Sequence, residues 1–376
     1  MVQQERLVQH FLQLVQVDSE TRYERDICDL LKKQFSELGL EVVEDDTTEV
    51  TGHAAGNLIV TWPATAGSEQ VKRLFFTSHM DTVTPGKGIK PQVHPDGLIT
   101  SDGTTILGSD DKAGLAAMFE AIRVLQETDA PHGQIQFIIT VGEESGLNGA
   151  RAMDATYLQA DLGYALDSNG EVGAIAVAAP TQAKIKMEIH GKSAHAGVNP
   201  EDGISAIQVA GKAIARMNLG RIDHETTANI GRFEGGGATN IVTDYVKLDA
   251  EARSIVQEKV EKQIASMKEA LESAAADYHA KANFESKIMY PAFQHNEEAE
   301  VVQLASRAIR SMGLTPRLFH SGGGSDANIF NGMGVPTVNL AVGYEDIHTT
   351  NERIHTDNLV KTAELVLSII KENAAH

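Results

Sequence analysis

Four places in this 376-residue chain put acids, in one case with a histidine, where an apolar run ends. His79-Met80-Asp81 follows RLFFTS, Asp110-Asp111-Lys112 follows TTILGS, Glu143-Glu144 follows IQFIITVG, and Asp167 follows GYAL. Singly, each has a plain structural explanation. An Asp after TTILGS can cap the next helix, Glu143-Glu144 can lie in a surface loop, and Asp167 before Ser168-Asn169-Gly170 can start an Asx turn. H-x-D alone carries little, since His94-Pro95-Asp96 and His355-Thr356-Asp357 also match and read as a solvated turn and a helix start. Four strand ends of this kind in one sheet are harder to dismiss. Ligands bind at the carboxyl ends of strands in open α/β sheets, and carboxylates crowded there repel unless cations neutralise them. The pair Glu143-Glu144 suits metal-assisted hydrolysis. Neighbours leaving a strand point in different directions, so one can hold a metal while the other takes a proton from water. Asp81, two residues from His79, can orient the imidazole.

Other chemistries lose ground. Gly191-Lys192-Ser193 looks like the end of a phosphate loop, but the upstream glycine position holds Lys186. Gly235-Gly236-Gly237 and Gly322-Gly323-Gly324 do not open a helix after a strand, and neither a G-x-S-x-G elbow in that setting nor H-E-x-x-H occurs. With 32 Lys and Arg against 52 Asp and Glu, the net charge is −20, which disfavours nucleic acid and anionic membrane surfaces. No apolar run approaches the roughly 20 residues of a membrane span, and the N-terminus follows helical spacing rather than a signal-peptide core. The lone cysteine, Cys28, excludes an intrachain disulfide and a Cys-based zinc cluster, and reads as part of a buried helical stripe. These features point to a cytoplasmic protein.

The elements that must position these residues follow from periodicity. NLIVTW (57–62), RLFFTS (73–78), IQFIITV (135–141), GYAL (163–166) and PTVNLAV (336–342) read as buried strands. KAGLAAMFEAIRVLQE (112–127) and residues 356–373 read as helices, so this part is an α/β sheet covered by helices. The middle differs. QAKIKMEIH (182–190) and YVKLDAEARSI (245–255) alternate strictly, as strands with one wet face do. Helical patterns at 203–217 and 255–281 accompany them; the apolar positions of the second, from Ile255 to Tyr278, read as a packing face. The spacing predicts an α+β insert at 179–291 within a discontinuous domain of residues 1–178 and 292–376.

Seven segments, SHMDTV (78–83), LGSDDKAG (107–114), GEESG (142–146), LDSNG (166–170), GKSAHAG (191–197), GGGSDANIFN (322–331) and IHTTNE (347–352), together resemble the M20 zinc metallopeptidases, in particular the peptidase T-like branch. The resemblance implies a zinc-exopeptidase-like catalytic domain, its mixed sheet flanked by helices, and an inserted ferredoxin-like lid that forms a homodimer. It also implies two Zn²⁺ per chain, with Co²⁺ or Mn²⁺ as substitutes. His79 and Asp167 would hold one ion, Glu144 and His348 the other, and Asp110 would bridge both. Glu143 would be the general base and Asp81 the orienting carboxylate. The charges of two such ions, three ligand carboxylates and a bridging hydroxide cancel. Choosing His348 among 14 histidines rests wholly on the resemblance. In the lid, His195 would polarise the scissile carbonyl, across subunits in related dimers. Asn240 and Arg253 resemble substrate anchors, Arg253 being suited to a carboxylate, with Glu251 or Asp249 as its alternative partner. Gly323 and Gly324 would let backbone approach the substrate.

The expected activity is hydrolysis of short peptides by an aminopeptidase or tripeptidase using a metal-bridged water. The compact spacing from His79 to Asp110 departs from the well-known tripeptidases and is shared with M20 carboxypeptidases and N-acyl-amino-acid deacylases. A metal-dependent peptide-binding protein without turnover is the alternative from another class; it has no need of Glu143 or Asp81.

Overall fold

The computed structural model describes residues 1–375. The chain divides into two compact units, each with its own apolar core. The first comprises Met1–Ala178, His295–Ser321 and the chain from Ser325 onward; the second comprises Ala179–Gln294 and Gly322–Gly324.

The first unit is built on a mixed sheet. From one edge inward its strands are Val42–Glu44, Leu58–Trp62, Ile135–Thr140, Leu74–His79, Leu162–Ser168, Thr337–Ala341 and Ala174–Ala179. Leu74–His79 pairs in parallel with Ile135–Thr140 and with Leu162–Ser168, which in turn pairs in parallel with Thr337–Ala341. These neighbours therefore all end on the same edge. Leu74–His79 and Ile135–Thr140 are buried along their whole length, as parallel strands covered on both faces must be. The covering helix Ser109–Thr128 is itself buried on nearly every side and is packed by Gln4–Val15 and Thr356–Ala374. Arg6 on the first of these pairs with buried Glu120 at 2.8 Å.

Two local details differ from the sequence reading. Leu162–Ser168 runs beyond GYAL, so Asp167 lies in the strand rather than in a turn. Asp110 and Asp111 keep non-helical backbone angles at the entry to the helix, and Asp111 caps it, its Oδ1 accepting from Gly114 N at 3.3 Å. Cys28 is buried, and burial pushes its thiol up to about 12, which leaves it inert.

The second unit is an antiparallel sheet in the order Gly220–Arg221, Thr226–Gly235, Tyr245–Ser254, Thr181–His190, Lys281–Tyr290. Helices Ala206–Arg216 and Gln257–Asp277 pack on it. Ala183, Ile185, Met187 and Ile189 face them and are buried, while Lys184 and Lys186 are exposed. The expected helix over 255–281 is shorter, ending at Asp277; His279 takes a left-handed φ of 53° and the last strand begins at Lys281. Alanines through this stretch favour helix and hide the break. Among the described residues no helix is long and apolar enough to cross a membrane.

Candidate active site

The parallel strands deliver their side chains to one edge of the first unit. His79, only 2% exposed, has Nε2 at 3.0 Å from Asp110 Oδ1 and 3.7 Å from Asp167 Oδ1. His348 approaches Asp110 with Nε2 3.1 Å from its Oδ2 and 3.0 Å from Glu144 Oε1. Asp110 thus offers one oxygen to each imidazole. Asp81 lies beneath, fully buried. Its Oδ1 is 3.4 Å from His79 Nδ1, and its two oxygens accept from Glu143 N at 3.0 Å and Glu144 N at 3.2 Å. Asp81 therefore orients the histidine, its backbone oxygen lying 3.0 Å from His79 Nδ1, while its carboxylate, close to the same ring, holds the loop bearing both glutamates.

Sequence reasoning missed a second ring of residues. Glu352, four residues after His348 and almost wholly buried, accepts from Leu107 N, Gly108 N, Ser109 Oγ and Asp110 N, which fixes the loop that carries Asp110. Asn339 grips the backbone of Asp167 from both sides, and Tyr344 donates to Asp167 Oδ1 at 3.1 Å. Asp326 accepts from Thr140 Oγ1. The Asp110–Asp111 peptide is cis, which nothing in the sequence announces.

The electrostatics are lopsided. Asp110, Asp111, Glu143, Glu144, Asp167 and Asp326 gather around two imidazoles. Burial, reinforced by the neighbouring Asp167, pushes Glu143 and Asp111 well above the carboxylate range. Burial also lifts Asp326 and Glu144 to about 7. Burial opposes a cation on His79, but Asp110, Asp167 and Asp81 outweigh it and push the imidazole well above its ordinary range. Asp110 and Glu144 raise His348 to about 10. Asp326 Oδ1 and Asp111 Oδ2 are buried with no hydrogen-bond partner among the described residues. A buried surplus of anions costs several kcal/mol per charge unless cations offset it, and imidazole nitrogen with carboxylate oxygen is a donor set that divalent metals take. Donor atoms of His79, Asp110 and Glu144, and separately of His79, Asp111 and Asp167, lie within 4.8 Å of one another. Both sets use His79, whose Nδ1 faces Asp81, so His348 is needed to complete a second set. Asp111 commits Oδ1 to the helix cap and keeps Oδ2 without a partner among the described residues. The residues fit a pair of divalent cations.

The remaining candidates belong to the second unit. His195 is exposed, and its loop meets that of Asn240, where Ala196 N donates to Asn240 O at 2.9 Å. Arg253 is bound by Glu251 through Nε at 2.9 Å and Nη2 at 3.2 Å, the pairing weighed as its structural alternative, while Nη1 points at Gly322 O, 3.4 Å away. Gly324 leaves no room for a side chain, since a Cβ there would meet the Tyr290 ring at 2.2 Å, whereas Gly323 has space.

The model of peptidase family M20/M25/M40 matches residues 75–372. The chain belongs to this family. Among solved structures, aminopeptidase PepT from Bacillus cereus is 62% identical with a TM-score of 0.94, each chain being covered to 99%. A tripeptidase from Staphylococcus aureus is 50% identical with a TM-score of 0.97 over 100% of both chains. The uncharacterized protein YqjE from Bacillus subtilis is 59% identical over 374 residues, spanning 100% of each. This M20 chain is a hydrolase acting on peptide bonds, of the PepT-like kind, with the mixed α/β fold of that group.

Proposed function

We propose that the chain is a di-zinc exopeptidase that removes the N-terminal residue from short peptides, tripeptides above all. The observation that carries this reading is Asp110, whose two oxygens face His79 and His348, with Glu143 left without a ligand role beside them. His79 and Asp167 would hold one ion, Glu144 and His348 the other, and Asp110 both; cobalt or manganese could substitute. Bound there, the ions supply Lewis-acid polarisation and make water acidic enough to ionise near neutral pH. Glu143 accepts the proton of the attacking water on a carboxylate oxygen and returns it to the leaving amine nitrogen. Asp81 keeps the His79 ring in the tautomer that presents Nε2 and holds Glu143 by its backbone.

In the second unit, His195 is assigned to polarising the carbonyl, Arg253 to the substrate's free carboxylate, and Asn240, Gly323 and Gly324 to backbone contacts. The same unit is proposed to form a homodimer, and the enzyme to act in the cytoplasm. The compact spacing from His79 to Asp110 keeps a deacylase or carboxypeptidase as the second reading. The test is hydrolysis of a tripeptide, an N-acetylated amino acid and a blocked tripeptide amide, with zinc and then with chelator. Chelator-sensitive release of the N-terminal residue from the free tripeptide alone is the expected result. Cleavage of the acetylated substrate instead would move the enzyme to the deacylases, and turnover unaffected by chelator would sink the metal mechanism.

A further inference from the structure

The segment Ser19–Glu24 carries none of the proposed chemistry, yet it is tied to both loops that do. Its backbone lies beside Thr82, next to Asp81. Thr21 N donates to Thr82 O and Thr82 N donates to Ser19 O, both at 2.9 Å. Buried Lys112 clamps the same place, donating to Ser19 Oγ at 2.8 Å and Met80 O at 2.7 Å. On its other side the Thr21 hydroxyl donates to Ser145 Oγ at 3.1 Å and also interacts with the Asp81 carboxylate, and Ser145 Oγ donates to Gly142 O at 3.2 Å. Gly142 immediately precedes Glu143.

The segment ends in a buried pair. Glu24 Oε1 is 2.6 Å from His53 Nδ1 and also accepts from Arg22 N at 2.8 Å. The His53 ring packs directly on Gly142, where a Cβ would sit 2.3 Å from its Cε1 and the backbone φ is +60°. A buried carboxylate–imidazole pair is weak evidence for stability, since apolar residues of similar volume often serve as well. What this pair does is fix an imidazole ring against one backbone position. The loop of Glu143 is thereby held from two sides, by Asp81 through its N–H groups and by His53 against Gly142.

We infer that Glu24 and His53 are a positioning pair that sets the aim of Glu143 through Gly142, with Thr21 as a second strut through Ser145 and the Asp81 carboxylate. This rests on Glu143 being the general base. A displacement of order 1 Å in a reacting group can cost about a hundredfold in rate.

The test uses zinc-loaded full-length protein and whichever of the three probe substrates is cleaved. Glu24→Gln and Thr21→Val are compared with wild type for kcat, KM, zinc content and Tm. Thr21→Val removes only a hydroxyl and remains informative if Glu24→Gln does not fold. In each folded variant, kcat is expected to fall about tenfold or more with KM within about threefold and zinc content unchanged. In a Glu143→Asp background, where the base is already displaced, the further loss should be much smaller than in wild type, because residues acting through one group are non-additive. Wild-type kcat with only a lowered Tm would make the strap merely structural and overturn the inference. Equal losses in both backgrounds would overturn it too. Unchanged kcat in Glu143→Asp would show that the aim of the base does not matter and would also overturn the inference, whereas full activity in Glu143→Ala would end the general-base reading itself, a separate result.

Discussion

The strand-end cluster of the first unit and the open sheet face of the second are both dense in charge, and they manage it in opposite ways. On the sheet the register sets Glu251 opposite Lys184, Asp249 opposite Lys186 and Lys247 opposite Glu188. Opposite charges thus meet across strands in water, where each pair contributes well under about 1 kcal/mol. At the strand ends acids outnumber the basic groups among them, His79, His348 and Lys112, and the carboxylates are withdrawn from solvent and held largely by backbone N–H groups and hydroxyls. The first pattern satisfies itself. The second is incomplete without added positive charge, and that incompleteness is what supports placing the proposed metal pair and its chemistry there. Arg253 lies between the two cases, being on the charged sheet face and already gripped by Glu251 while keeping Nη1 for another acceptor.

The contrast can be broken most severely at a proposed ligand. His348→Ala should remove one ion and reduce turnover to background, with metal content read by atomic emission; two retained ions and normal turnover would equate the cluster with a self-satisfied one. Asp81→Asn comes next. It keeps the shape but weakens the orienting charge, so metal affinity or activity should fall about 10- to 100-fold, measured by zinc titration and initial rates. Arg253→Lys keeps the charge and loses the fork. KM for a free tripeptide should rise about tenfold, roughly the worth of a charge-assisted hydrogen bond, with little change for the blocked amide. Equal effects on both would leave Arg253 as Glu251's partner only.

A smaller effect lies away from both regions. His10 is buried against Phe119 and Gln34, and burial lowers it to about 4. The folded group is neutral where the unfolded one, near 6.5, takes up a proton. Stability from His10 is therefore full above about pH 6.5 and declines as pH drops towards 4, by at most about 1.4 kcal/mol per pH unit. Urea denaturation at pH 7 and 5 should show this decline reduced in His10→Gln.

Much of this was legible in the sequence, for a physical reason. Strands covered on both faces are written as unbroken apolar runs, so NLIVTW, RLFFTS and IQFIITV announce themselves, and the acids that follow them must sit at strand ends. His348 lacks such a signal. It sits after a two-residue strand with a left-handed φ of 63°, and only the resemblance of IHTTNE picks it out. Glu352 and Asn339 were missed because their work is done on the backbone of distant loops, which sequence spacing does not reveal. Asp326 could have been noticed, since Ser325 and Asn328 form a capping box around an acid that the helix start does not itself require. The strand Lys281–Tyr290 was hidden by alanines that read as a continuation of the preceding helix.

The central claim is that one buried acid moves protons while its neighbours hold metal. Zinc content and peptide turnover measured together on wild type and Glu143→Ala test it directly. Two ions are expected in both proteins, with a fall of about a hundredfold to ten-thousandfold in turnover for the variant. Full activity in Glu143→Ala, or loss of its zinc in step with its activity, would contradict the division of roles between Glu143 and Glu144.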